Sequence, residues 1–161
     1  MIRHSLSRSS HAVAHQLGEE VLQRSGRLVL PATGRSMVPT IWPGDALIVE
    51  PVNVDDLTAG DIVLFSNGLR FVAHRVVEND DSGCGELLTR GDAMAATDSP
   101  IRPSEILGRV SFIVRDGRCF EAKKRLRRSE RALAALLRRS DTAARVLLGV
   151  HGLGRASFKT V

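Results

Sequence analysis

The chain has 161 residues, enough for one domain with a real core, and 43% hydrophobic against 25% charged residues mark it as globular rather than disordered. One tryptophan and no tyrosine argue against a stacking platform for single-stranded nucleic acid, so no nucleic-acid partner is expected. No run of about 18 apolar residues occurs, and the N-terminus lacks the apolar stretch of a secretory signal, so a cytoplasmic protein is expected.

The net charge of +5 is unevenly spread. From Phe120 onward there are 11 lysines and arginines against 3 acidic residues, and before it 12 against 15. The basic character therefore belongs to the C-terminal segment. Cys84 and Cys119 lie far apart with no CxxC spacing, which points away from metal binding and from a disulfide framework. No cofactor is implied.

In chain order, residues 10–25 read as a short amphipathic helix, with Val13, Leu17, Val21 and Leu22 at helical spacing and Gly26 as its stop. Residues 27–32 read as a strand. Short β runs follow at 46–52, 61–66, 69–78, 86–90 and 107–115. Asn67-Gly68 and Asp116-Gly117 carry the two-residue hairpin signal, the second leading to a short return strand at 118–120. A Gly-Asp pair recurs at Gly44-Asp45, Gly60-Asp61 and Gly91-Asp92. Glycine there supplies unusual backbone torsions, and aspartate a side-chain bond to the turn backbone. After residue 120 leucines interleave with arginine and alanine, a helical pattern ended by Gly149, Gly152 and Gly154. The expected organisation is a helical extension at 1–26, a β domain at 27–120 and a basic helical extension at 121–161.

The richest stretch for chemistry is Gly34-Arg35-Ser36-Met37-Val38-Pro39-Thr40, followed by Gly44-Asp45. Glycine and polar residues precede Ser36, and Pro39 stops any helix beginning there. A serine in such a turn is held exposed beside converging backbone N–H groups, as an acyl-transfer nucleophile requires; an ordinary turn serine is the bland alternative. A serine needs a base. All three lysines, Lys123, Lys124 and Lys159, lie in the basic tail, and His74 is the one histidine inside the β domain. Strand alternation puts His74 on the face of Val72 and Val76, with Ala73, Arg75 and Val77 opposite. The carboxylate that orients such a histidine has two candidates in one loop, Asp92 and Asp98.

Taken in order, these pieces resemble the signal peptidase I family of the LexA/signal-peptidase superfamily. The pieces are Gly34-Arg35-Ser36-Met37-x-Pro39-Thr40, Gly44-Asp45, Gly60-Asp61-Ile62-Val63, Ala73-His74-Arg75-Val76, Thr89-Arg90-Gly91-Asp92 with Asp98, and Ile106-Leu107-Gly108-Arg109-Val110. The resemblance runs from about residue 30 to residue 112 and implies a mainly β fold of short antiparallel strands. Many members use a lysine base. His74-Arg75-Val76 is similar to the histidine variant found in the endoplasmic-reticulum and archaeal enzymes. By that resemblance Ser36 is the nucleophile, His74 the general base, Asp98 the orienting carboxylate and Asp92 a second important acid.

The implied activity is a serine endopeptidase that cuts a peptide or protein substrate after small residues. The chain departs from the family in two respects. Gly34 stands where lysine-type enzymes often place a serine that assists the oxyanion, and no membrane anchor is read. Two other readings stand beside it. One is a catalytically silent module of the same fold that binds extended peptides by strand addition. The other is a LexA-like self-cleaving regulator, disfavoured by the absent lysine base and the short stretch before Ser36. The basic segment from Lys123 to Arg139 also has the composition for peripheral contact with an anionic membrane surface.

Overall fold

The computed structural model describes residues 16–67, 70–79 and 85–139. It is built on a seven-stranded antiparallel sheet. Helix α1 covers residues 16–25 of the described chain. The strands are β1 (Leu28–Pro31), β2 (Ala46–Glu50), β3 (Ile62–Asn67), β4 (Arg70–Asn79), β5 (Leu87–Arg90), β6 (Ile106–Arg115) and β7 (Arg118–Glu121), and α2 follows at Arg128–Arg139. Single 3-10 turns at Val54–Asp56 and Pro103–Glu105 precede β3 and β6.

The mainly β class with flanking helices is as expected, and each strand lies within two residues of its sequence reading. Residues 10–15 of the first helical reading, and the glycines that were to end the last, lie outside the described residues. Asp116 and Gly117 both take positive φ, 50° and 74°, and Arg115 pairs with Arg118, so the second hairpin is a tight two-residue turn. In the first hairpin Asn67 is itself paired, to Arg70. Residues 68 and 69, on which the rest of that signal falls, lie outside the described residues.

Sheet order is β1-β2-β6-β3-β4-β5. The long strand β6 serves two partners along one edge: its first half pairs with β3 and its second half with β7, while β2 runs along its other edge. Burial on both faces of β3 explains this centre. Ile62 and Leu64 point into one apolar cluster with Leu22 of α1, Met37, Ile41, Leu47, Val49 and Val110. Val63 and Phe65 point into a second with Leu57, Val76, Leu87 and Ile101. An unbroken apolar run on a strand is what burial on both faces requires. Each such side chain contributes about 1.5–3 kcal/mol when fully buried.

The chain beyond β7 is tied to the sheet by polar contacts. Arg75 Nη1 donates to the Lys123 carbonyl at 2.8 Å, and Lys124 Nζ donates to Asp61 Oδ2 at 2.9 Å. Gly60 has φ 102°, and a Cβ there would stand 2.5 Å from the Lys124 carbonyl oxygen, so only glycine lets this segment lie flat. Among the described residues no helix is long and apolar enough to cross a membrane.

Candidate active site

Three elements converge beside β4. The loop between β1 and β2 carries Ser36, β4 carries His74, and the loop after β5 carries Asp92 and Asp98. Met37, Val38 and Ile41 are buried, so apolar burial pins the loop around Ser36 while Ser36 itself stays half-exposed. The backbone on the far side is just as close. Ala93 N donates to the Ser36 carbonyl at 2.8 Å, and a Cβ on Gly91 would meet that carbonyl oxygen at 2.7 Å. Gly91 is thus a close-approach glycine that lets the two loops touch.

His74 lies opposite Val63 on the face of Val72 and Val76, as the alternation predicts, and is 7% exposed. Phe65 stands edge-on to its ring at 6.1 Å between centroids. The imidazole Nε2 is 2.9 Å from Ser36 Oγ, and Nδ1 is 2.6 Å from Asp98 Oδ2. Thr89 Oγ1 donates to the same Asp98 oxygen at 2.6 Å, and Asp98 N donates to the Thr89 carbonyl at 2.8 Å. A carboxylate on Nδ1 holds the proton there and leaves the Nε2 lone pair directed at the serine hydroxyl. Such a line of bonds can take a proton from a serine during attack on a carbonyl.

Asp92, expected as a second acid of the site, belongs to a different network. Arg75 binds it through two parallel bonds of 2.8 Å, Nε to Oδ1 and Nη2 to Oδ2, and Thr40 Oγ1 donates to Oδ2. Arg75 Nη1 also reaches the Gly60 carbonyl at 2.7 Å. With both oxygens occupied and the residue buried, Asp92 has no bond to His74 among the described contacts. The physical reason is the strand pleat: Arg75 points to the face opposite His74, and each side chain collects one aspartate of the same loop.

The roles of Thr89 and Thr40 are not legible in the sequence. Both lie inside the quoted motif pieces, and no local signal distinguishes a threonine that bonds an aspartate from one that fills space. The cations on the other Gly-Asp pairs are equally absent from any local signal. Arg115 Nη2 donates to Asp45 Oδ2 at 2.6 Å, and Lys124 serves Asp61. Asp61 sits below its ordinary carboxyl value. Burial alone would raise it, but bonds from Lys124 Nζ and from the Thr58 N–H and hydroxyl together outweigh that.

The family model for Peptidase S24-like proteins matches residues 6–111. The chain belongs to the Peptidase S24-like family. That places it in the LexA/signal-peptidase-like superfamily, with the mainly β fold read from its motifs. Among curated proteins and solved structures nothing matches.

Proposed function

We propose that this S24-like protein is a serine endopeptidase of the histidine-base kind, with Ser36 as nucleophile, His74 as general base and Asp98 as the carboxylate that orients it. The observation supporting this is the unbroken line Ser36 Oγ, His74, Asp98, with bonds of 2.9 and 2.6 Å. Ser36 Oγ attacks the scissile carbonyl carbon while its proton passes to His74 Nε2. The tetrahedral intermediate collapses as that proton moves to the departing amine, leaving an ester on Ser36. Water, deprotonated by the same nitrogen, then releases the acid and restores the hydroxyl.

The Ser36 N–H has no hydrogen-bond partner among the described residues and lies beside the nucleophile, so it serves as a donor to the developing oxyanion. Gly34 contributes no side-chain donor, and backbone groups carry that role. Cleavage after small residues follows from the likeness to signal peptidases.

The test is hydrolysis of a peptide library rich in Ala-x-Ala sequences by wild type and Ser36→Ala, read by mass spectrometry. Products that depend on Ser36 are expected. Equal products from both proteins would sink the enzymatic reading, and no products from either would favour the silent peptide-binding module. The family match favours one further arm, self-cleavage. A concentration-independent loss of full-length chain that Ser36→Ala abolishes would reveal it.

A further inference from the structure

On the face of β4 opposite His74 lies a cavity of about 460 Å³ whose polar wall is almost entirely guanidinium. Arg75 and Arg90 enter it from directly opposed positions on β4 and β5. Arg125 comes from the segment before α2, and Arg131 and Arg138 come from α2, two turns apart on one side of the helix. Asp92 is the single acidic residue in the wall, and both its oxygens are engaged by Arg75. Arg138 Nε donates to the Asp92 carbonyl, which carries no net charge. Arg90, Arg125, Arg131 and Arg138 therefore share one concavity with no carboxylate partner among the described residues.

Like charges opposed across a strand pair or gathered around one hollow repel each other, and a fold that gathers four leaves that repulsion uncompensated. An anion seated between them adds an attraction to each guanidinium that offsets the repulsion remaining among them. The planar fork of arginine matches phosphate oxygens, and a single peptide carboxylate would leave most of this charge unanswered. We infer that the cavity between β4, β5 and α2 binds a phosphate-bearing anion of at least two negative charges, a polyphosphate or phosphate monoester. The site is separate from the Ser36–His74 line and does not depend on the peptidase reading. Its two sources, a free phosphorylated solute and a lipid headgroup, share this chemistry.

The full chain is titrated calorimetrically with pyrophosphate, ionic strength being held constant with sodium chloride. Three proteins are compared: wild type, Arg90→Gln/Arg131→Gln, and Arg27→Gln/Arg118→Gln, which removes equal charge from exposed positions outside the cavity. Wild type is expected to saturate, and the cavity pair to bind about tenfold or more weakly. The control pair should stay within about twofold, as loss of bulk charge alone is screened. A second arm measures flotation with phosphatidylcholine vesicles doped with phosphatidic acid. Flotation that pyrophosphate competes away assigns the lipid source, and pyrophosphate binding without flotation assigns the free one. No saturable binding in either arm, or equal weakening by both pairs of substitutions, would overturn the inference. Matching melting temperatures without anion establish that all three proteins are folded.

Discussion

Asp92 and Asp98 stand six positions apart in one loop and have entirely different surroundings. Asp92 is 3% exposed, doubly bonded by Arg75 and capped by Thr40. Asp98 has a side chain 25% exposed and meets an imidazole and a buried threonine. The loop turns back along β5, where Asp98 N bonds the Thr89 carbonyl and Ile101 bridges Leu87, and its two aspartates meet the opposite-facing neighbours His74 and Arg75. Asp92 also shares its device with Asp45 and Asp61: each follows a glycine, is buried, and holds a cation. Asp98 follows Thr97 and holds a histidine instead. One loop thus supplies a fastening and a candidate working carboxylate, and the two separate experimentally by whether substitution strikes rate or stability.

The largest effects sharpen the rate side. His74→Ala is expected to lower peptide hydrolysis about 10⁴-fold or more, nearly as much as Ser36→Ala, because residues acting as a unit fail together. Asp98→Asn keeps the shape but favours the wrong imidazole tautomer, so a loss of about 10³–10⁴-fold with an unchanged melting temperature is expected. Steady-state hydrolysis and thermal melts of the same preparations check both. A normal rate for Asp98→Asn would remove the distinction between the two aspartates.

Asp92→Ala tests the other side. It leaves the Arg75 guanidinium, half-buried beneath the C-terminal segment, without its carboxylate, and breaking such a pair costs about 3–5 kcal/mol. Urea denaturation should show that loss, with kcat per folded molecule falling far less than for Asp98→Asn. A stable Asp92→Ala protein with collapsed kcat would instead return Asp92 to the catalytic group. Thr89→Val is a smaller change. It removes one of the bonds that hold Asp98, worth about 1 kcal/mol, so a rate loss of roughly fivefold to tenfold is expected with the core volume kept.

Much of this was legible in residue order. Alternation placed His74 and Arg75 on opposite faces, apolar runs marked the strands, and the Asp116-Gly117 turn fell where its two positive φ angles require. Ser36 and His74 were recognisable because the chain offers so few bases outside its tail. What stayed hidden depends on long-range closure. Sheet order, with β6 between β2 and β3, is set by which apolar faces meet, and no local pattern encodes it. The separation of Asp92 from Asp98 needs the path of the loop that turns back along β5. The Arg75–Asp92–Thr40 network joins residues up to 52 positions apart. The arginine cavity needs α2 folded back against the sheet, and the basic tail read alone showed a charged helix without the place where it docks.

Asp61 sharpens the comparison from the side of pH, since it is a Gly-Asp fastening whose surroundings hold the carboxyl below its ordinary range. Its carboxyl lies below the ordinary 3.8 in the folded chain, because Lys124 and Thr58 bond the ionised form more strongly than burial disfavours it. The unfolded chain therefore takes up a proton first as pH falls. The stability Asp61 contributes is fully present above about 3.8 and is lost as pH drops through the lower folded value. Asp61→Asn never has that contribution. Its deficit in urea midpoint relative to wild type should be constant from about pH 7 to pH 5 and shrink below about pH 4. A deficit that persists unchanged into acid would mean that Asp61 holds the Lys124 segment by shape and neutral hydrogen bonds rather than by charge. The fastening aspartates would then differ from Asp98 in location alone, not in the kind of interaction they make.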